Sequence, residues 1–255
     1  MIGDALLLAG AGFAAGAVNA VAGGGSLISF PALLGAGYAS VTANVTNAVA
    51  VLPGYLGGSL GYRRELQGQQ ARVAVLSGTS AVGSLCGAVL LLVSSEHLFH
   101  DMAPFLILFA CALLAAQPLL SRVVTPPASD RQERSLRLHV LDFAAAVYGG
   151  YFGAGLGIML LAVLGLCIDD DLQRLNALKG LLSFVIGLVA AVCFAFFGDV
   201  KWPAAALMAV ASLVGGRLGV GVARRLGERT LRALVVVLGL AVAVVLMCRS
   251  AGGAV

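Results

Sequence analysis

Residues 16–31 read GAVNAVAGGGSLISFP, an apolar stretch interrupted by the consecutive glycines Gly23, Gly24 and Gly25. A second interrupted stretch, YGGYFGAGLG, occupies residues 148–157. Glycine adopts backbone conformations that other residues resist, so each cluster predicts a break between two apolar helical segments. Non-helical backbone at membrane depth is tolerated only where it lines a cavity or is buried in protein. The two breaks therefore indicate where an internal binding site would lie.

The composition predicts that the chain is embedded in a lipid bilayer. Hydrophobic residues make up 60% of the 255 positions and charged residues 11%, against about 45–50% and about 25% in soluble domains. The apolar residues occur in runs of about 20, the length that crosses a hydrocarbon core of about 30 Å. The net charge of +4 comes from arginines clustered between these runs, a pattern that sets membrane topology. We expect an all-α, multi-pass membrane protein that does not bind nucleic acid.

The two interruptions occupy corresponding places in two halves of the chain. An offset of 132 residues, without gaps, aligns Gly25 with Gly157 and Asn44 with Asn176. Short, glycine-interrupted hydrophobic segments at matching positions are typical of transporters built from internal repeats. The predicted organisation is a first membrane repeat at 1–120, a cytoplasmic linker at 121–137 and a second membrane repeat at 138–255.

Positive charges in the loops predict how the repeats are oriented. The loops at 63–72, 121–137 and 224–232 carry three or four arginines each, and Lys and Arg in short loops stay cytoplasmic. The loops at 94–101 and 199–201 lack this excess and are expected outside. All five assignments hold if each broken pair is a re-entrant hairpin followed by three transmembrane helices, which inverts the repeats and puts both termini outside. The alternative, eight full spans, places the last arginine-rich loop outside.

Polar groups near the breaks form the candidate anion site. Free amides at a helix N-terminus, supported by the helix dipole, attract anions. Lys179 is a cation within an apolar run, three residues after Asn176; a charge at such depth is usually functional, although a lysine stem can also extend to the interface. Asn19 and Thr46 are further hydrogen-bonding candidates, for substrate or between helices. The predicted substrate-binding residues are Gly23, Gly24, Gly25, Ser26, Asn44, Asn47, Gly155, Gly157, Asn176 and Lys179.

Several other features are predicted to be structural. The mid-span glycines at a spacing of four predict close helix packing; they are Gly83 with Gly87 and Gly215 with Gly219. The acidic run 169–171 predicts an N-cap for the helix that follows. The residues Glu96, His97, His100 and Asp101 resemble a metal cluster but are expected in an exposed loop.

The chain offers no arrangement of residues typical of an enzyme. The apolar runs contain no Ser/His/Asp set and no paired carboxylates, which argues against an intramembrane hydrolase. The sequence also has no nucleotide-binding motif in the required context of strand and helix, which argues against a primary pump. We therefore expect neither a cofactor nor a resident metal.

The stretch 16–31, followed by Asn44 and Asn47 and echoed at 148–157, resembles the TauE/SafE sulfite exporter family of small permeases. The resemblance covers essentially the whole chain. It implies a multi-pass transporter of the bacterial cytoplasmic membrane for sulfite, sulfoacetate or related sulfur-containing or organic anions. We expect alternating access coupled to a proton or another ion. An anion channel or passive pore and a non-transporting scaffold are the alternatives, and assembly as a homodimer is left open.

The predicted topology can be tested with reporter fusions at the loop 199–201. We expect alkaline phosphatase to be active there and green fluorescent protein to be dark, because the positive-inside rule places this loop outside. The matched control is the loop 224–232, which should give the reverse pattern. Fluorescence at 199–201 would support eight full spans instead.

Overall fold

A computed structural model describes residues 2–21, 23–61, 65–123, 136–226 and 228–252. Within these ranges the regular secondary structure consists of ten helices and contains no strand, in agreement with the predicted all-α class. The helices are α1 (Ile2–Val21), α2 (Ser26–Gly35), α3 (Ser40–Gly61), α4 (Gln70–Val93), α5 (Glu96–Val123), α6 (Leu136–Tyr151), α7 (Leu156–Cys167), α8 (Leu172–Phe197), α9 (Trp202–Leu226) and α10 (Glu228–Gly252). The predicted linker 121–137 lies mostly outside the described residues.

Both predicted interruptions are present. The first separates α1 from α2 and the second separates α6 from α7. The glycines with positive φ in these breaks are Gly23 (68°), Gly24 (127°), Gly153 (76°) and Gly155 (74°). A β-carbon disfavours this region of backbone space, which is why the chain leaves the helix at glycines. With 10 and 12 residues, α2 and α7 are about 15 and 18 Å long, too short to cross a core of about 30 Å.

Equivalent helices make equivalent contacts in the two halves of the chain. Moving the bounds of α1 to α5 by 132 residues brings them close to those of α6 to α10. Helix α1 packs along α9, and its equivalent α6 packs along α4. Helix α3 contacts α8, and α5 contacts α10. Under the same shift the α1–α9 pair corresponds to the α6–α4 pair. The α3–α8 and α5–α10 pairs each correspond to themselves.

The α4–α6 pair is in backbone contact. A β-carbon at Gly87 would overlap the carbonyl oxygen of Val147. A β-carbon at Gly83 would lie 2.8 Å from the Ala146 β-carbon and 2.8 Å from the Phe143 carbonyl oxygen, closer than such atoms approach. The prediction that these two glycines serve helix packing is confirmed.

The α1–α9 pair is packed in the same way. A β-carbon at Gly16 would overlap the carbonyl oxygen of Ser212, and one at Gly215 would overlap that of Phe13. Gly215 therefore serves packing, as predicted. Gly219 lies in α9, but its surroundings are outside the described residues. Small residues let two helix backbones approach closely, which supplies the van der Waals contact that holds helices together in lipid.

The helix α5 begins earlier than the sequence indicated. Its first residue is Glu96, so the metal-like group at 96–101 lies in the first turns of a helix and not in a loop. The physical reason is a helix start that sequence analysis missed: the Ser95 hydroxyl accepts a hydrogen bond from the Leu98 amide at 3.2 Å, and an acidic residue follows in the first turn. Among the described residues, no group of three His, Cys, Asp or Glu side chains is placed to hold a metal.

One end of the bundle, which we call the α3 end, brings together the start of α3, the α4–α5 connection and the α8–α9 connection. The carboxylate of Glu96 accepts hydrogen bonds from the Val41 amide at 3.0 and 3.2 Å. The hydroxyl of Thr42 donates to Asp199 at 3.2 Å. Both connections therefore lie on the same side of the molecule.

The opposite end, where α4 and α8 begin, is called the α8 end. There Asp170 accepts hydrogen bonds from Arg72 at 2.7 Å and Arg174 at 2.8 Å. Burial raises the pKa of Asp170, but hydrogen bonds from Arg72, the Asp171 amide and Arg174 outweigh burial and hold that pKa below its usual value. Asp171 is the N-cap of α8 and accepts from the Gln173 amide at 2.9 Å, which confirms the predicted cap.

The outer surface of the bundle suits a lipid environment. By length and composition, three helices of the described chain can cross a membrane, at Gln70–Val93, Glu96–Pro118 and Gln173–Phe197. Large apolar side chains point away from the core, and Phe196 and Phe197 are each 79% exposed. Contiguous apolar surface of this kind marks contact with a membrane or a partner. The fold is that of a multi-pass membrane protein.

Adding one methyl group at the α4–α6 contact should destabilise the fold. We expect Gly87→Ala to lower the free energy of unfolding by about 1–3 kcal/mol, because the new β-carbon overlaps a backbone carbonyl that cannot move freely. Gly78→Ala on the same helix is the control, since nothing lies within 4 Å of its β-carbon position. It should be neutral or stabilising by up to about 1 kcal/mol. Thermal unfolding in detergent measures both; equal stability of the two variants would contradict the described packing.

Candidate functional site

The first break is held by the side chain of Asn19. Its Oδ1 accepts hydrogen bonds from the amides of Gly24 at 3.1 Å and Gly25 at 2.7 Å. The Gly23 amide donates to the Val18 carbonyl at 3.0 Å. Asn19 therefore caps the start of α2, and an anion that binds the Gly24 and Gly25 amides must displace the Asn19 carboxamide.

The remaining predicted residue of the first break, Ser26, contacts α3. Its side chain is 4% exposed and interacts with that of Tyr55. One turn further along α2, the hydroxyl of Ser29 donates to the Gly25 carbonyl at 3.3 Å. The start of α2 is therefore tied both to its own break and to α3.

The second break supplies most of its own hydrogen bonds. The Leu156 amide donates to the Gly153 carbonyl at 3.3 Å, and the amides of Ile158 and Met159 donate to Gly155 at 3.0 and 3.2 Å. The amide of Gly157, in the first turn of α7, has no acceptor among the described residues. It is therefore an amide in the first turn of α7 without a hydrogen-bond partner in the described part of the chain.

The two breaks touch each other inside the protein. A β-carbon built on Gly23 would lie 3.6 Å from the Gly157 Cα, and one built on Gly157 would lie 3.7 Å from the Gly23 Cα. The β-carbon built on Gly157 would also lie 3.8 Å from Cδ of Lys179. Three of the predicted site residues, from three separate parts of the chain, thus meet at one point.

Lys179 is held in a polar pair on α8. Its Nζ donates to Oδ1 of Asn176 at 3.1 Å, across one helical turn. It stands seven residues after the first residue of α8, about 10 Å along the helix axis. The ammonium group is therefore close to the meeting point of the two breaks, and its stem lies against the second of them.

The two asparagines of α3 have different environments. Nδ2 of Asn44 donates to the carbonyl of Tyr151, the last residue of α6, at 2.8 Å. Asn44 therefore satisfies a backbone group at the second break. Asn47 is 2% exposed, and its Oδ1 has no hydrogen-bond partner among the described residues. A buried polar atom without a partner is costly and requires an explanation.

Sequence reasoning passed over Asp142. This aspartate of α6 is 0% exposed, and its two carboxyl oxygens lie 3.1 and 3.0 Å from the hydroxyl of Ser80 on α4. The sequence does contain the signal for it, which is an acidic residue inside the apolar run 138–152. A charged residue in such a run is a functional candidate, and the same argument selected Lys179.

Sequence reasoning also passed over an aromatic cluster that links the second break to the α3 end. The ring centroids of Phe30 and Phe152 are 5.3 Å apart, and those of Phe99 and Tyr151 are 5.6 Å apart. All four side chains are buried. Nothing in the spacing of these aromatics along the chain predicts that they meet, since they come from α2, α5, α6 and the break that follows α6.

The relatives of the chain define its class as a multi-pass membrane transporter and not an enzyme. The model of the family described as Sulfite exporter TauE/SafE matches residues 8–246. The chain belongs to this family, which confirms the resemblance seen in the sequence. No solved structure gives a significant match.

The chain aligns with similar proteins along nearly their whole length, and their names share one general description. The chain is 31% identical to "Probable membrane transporter protein" of Haemophilus influenzae over 234 residues, covering 89% of this chain and 88% of the relative. It is 25% identical to "Probable membrane transporter protein YfcA" of Escherichia coli K12, covering 93% and 87%. It is 26% identical to "Probable membrane transporter protein ORF9" of a Sinorhizobium species, covering 93% and 90%.

Leucine substitutions should separate the roles of the two asparagines. We expect Asn44→Leu to lower the free energy of unfolding by about 1–3 kcal/mol, since it leaves the Tyr151 carbonyl buried without its donor. Asn47→Leu is the matched change on the same helix and should not lower it, because it removes a polar atom that lacks a partner. Denaturant titration in detergent compares the two. A larger loss in Asn47→Leu would show that Asn47 has a structural role.

Proposed function

We propose that the protein is a secondary transporter that moves a small anion, such as sulfite, sulfoacetate or a related organic anion, across the bacterial cytoplasmic membrane. The observation that carries the proposal is the contact between Gly23 and Gly157 beside the stem of Lys179. Two interrupted helices that meet inside a membrane protein are the usual setting of a transporter binding site.

The chemistry of the meeting point favours an anion. Lys179 supplies a positive charge, and Gly157 supplies an amide at the N-terminus of α7, where the helix dipole also favours negative charge. Sulfite and sulfonate oxygens accept hydrogen bonds from both groups. Asn47, the counterpart of Lys179 under the 132-residue shift, presents either an oxygen or an NH₂ group after rotation of its carboxamide. A binding role gives that buried carboxamide a partner.

An inverted arrangement of the repeats is the architecture we infer. It is supported by the short lengths of α2 and α7, which suit re-entrant segments, and by the matching helix contacts of the two halves. It is also supported by the α3 end, where the α4–α5 and α8–α9 connections lie together. Eight full spans would place these two connections on opposite faces. In this arrangement the α3 end faces outward and the α8 end faces the cytoplasm.

Alternating access then requires each path to the meeting point to open in turn. The outward path is closed by the aromatic cluster of Phe30, Phe99, Tyr151 and Phe152. Asn19 occupies the amides of the first break in this conformation. Binding of substrate at these amides would displace Asn19 and free α2 to move, which links occupancy of the site to a change of shape.

Removal of the charge of the part-buried Lys179 should abolish transport. In proteoliposomes we expect Lys179→Met to lose uptake of labelled sulfite and sulfoacetate while inserting and folding normally, because the substrate loses its counter-charge. Lys201→Met is the matched control: this lysine pairs with Asp199 at the surface of the α3 end, and its loss should leave uptake unchanged.

The same vesicles distinguish a transporter from a channel. A transporter should show saturable uptake and counterflow without single-channel conductance. Full activity of Lys179→Met would remove that residue from the site, and ion-channel currents would replace the transporter mechanism with a pore.

A further inference from the structure

We propose that Asp142 binds a proton and that its protonation is coupled to movement of the substrate. This inference rests on the proposed transport function and assigns the coupling ion to a residue outside the meeting point of the two breaks. Asp142 stands six residues after the first residue of α6, about 9 Å along the helix axis.

Among the described residues, the carboxyl group of Asp142 has one hydrogen-bond partner, the hydroxyl of Ser80. The carboxyl group is fully buried at the α4–α6 contact, with the Ser80 hydroxyl 3.0 Å from the nearer oxygen. Buried Leu76, Leu138 and Ala145, from the same two helices, belong to the core that encloses this contact. An ionised carboxylate with a single neutral donor is costly in such an environment, so the group holds a proton. The protonated form keeps an oxygen that accepts the hydrogen bond donated by the Ser80 hydroxyl.

No described cation neutralises Asp142. Helix α6 packs against α4, α7 and α8. The titratable or charged side chains of these three helices are Arg72, Cys86, Cys167, Arg174, Lys179 and Cys193, and those of α6 are Arg137, His139, Tyr148 and Tyr151. Within the described residues none of them forms an ion pair or hydrogen bond with Asp142. Arg72 and Arg174 bind Asp170 instead, and His139 bonds Thr79.

The donor set also favours a proton over a metal ion. Hard cations take several oxygen ligands from protein or water, whereas the described contacts of this carboxyl group comprise one serine hydroxyl. A proton needs only one acceptor. The α4–α6 pair is in close contact at Gly83 and Gly87, one and two turns along α4 from Ser80.

A second serine connects this site to the substrate helix. Ser84 lies one turn after Ser80 on the same face of α4, and its hydroxyl donates to the Ile186 carbonyl of α8 at 2.7 Å. Helix α8 carries Lys179. When the O–H bond of Asp142 breaks, the proton passes to water and the carboxylate must be solvated. The α4–α6 contact must therefore open, and α4 is tied to α8.

The site exists in only one half of the chain. The 132-residue shift maps Ser80 onto Ser212 but maps Asp142 onto Gly10. Ser212 is buried, and its hydroxyl has no partner among the described residues. The α1–α9 contact thus keeps the serine without the acid. A single ionisable site in a pair of otherwise matching contacts is suited to coupling, because it makes one of them sensitive to the proton gradient.

The coupling is tested with the full chain in proteoliposomes, using labelled sulfite and sulfoacetate. We expect Asp142→Asn to keep counterflow at equal pH but to lose accumulation driven by an imposed pH gradient, together with substrate-dependent proton flux. The control is Asp169→Asn, the same chemical change at an exposed position, which should behave as the wild type. Gradient-driven accumulation by Asp142→Asn at the wild-type level overturns the coupling.

Proton binding is tested separately by infrared spectroscopy of the purified protein, which needs no transport. The wild type should show the carbonyl stretch of a buried protonated carboxyl at neutral pH, and Asp142→Asn should lack it. In Ser80→Ala the band should shift, since the hydroxyl partner is gone; this variant also assigns the band if Asp142→Asn does not fold. Absence of the band from the wild type overturns the proton site. A wild type that transports neither sulfite nor sulfoacetate refutes the proposed transport function, and the proposed coupling fails with it. The infrared band still decides whether Asp142 binds a proton.

Discussion

Backbone amides and carbonyls that lie within a bilayer must find partners inside the protein, and the rest of this structure depends on how the two helix breaks meet that requirement. At the first break the carboxamide oxygen of Asn19 accepts hydrogen bonds from the amides of Gly24 and Gly25. At the second, Asn44 donates to the Tyr151 carbonyl and the Tyr148 hydroxyl donates to the Ala154 carbonyl at 2.6 Å. Side chains from fixed positions therefore satisfy part of the non-helical backbone at both breaks, which is the condition for placing such backbone at membrane depth.

Much of the fold could be predicted because the signals are local. A run of apolar residues long enough to span a membrane, or a glycine cluster within such a run, is visible without knowing what surrounds it. The ends of helices are less visible: α5 begins at Glu96 and not near 103, because a serine cap extends it through polar residues that an apolar-run criterion excludes. A close helix contact could be anticipated at Gly83, Gly87 and Gly215, but the helix that each of them meets could not.

The site was harder to predict than the fold, because it depends on contacts between distant parts of the chain. Residue type and spacing selected Lys179 and Asn176, and these do form a pair. The same criteria could not separate Asn44, which donates to a backbone carbonyl, from Asn47, whose oxygen is unpartnered. Nor could they show that Asn19 takes the Gly24 and Gly25 amides, since that bond depends on the path of the chain through the break.

The glycine contacts of α4 with α6 and of α1 with α9 have a consequence for motion. Where Gly87 and Gly16 meet their neighbours, the surfaces consist of carbonyl oxygens and α-hydrogens and not of interlocked side chains. Weak Cα–H···O contacts of that kind recur at helix–helix interfaces and contribute only about 0.5–1 kcal/mol each. At these two points one helix can therefore shift against the other without a change of side-chain rotamer.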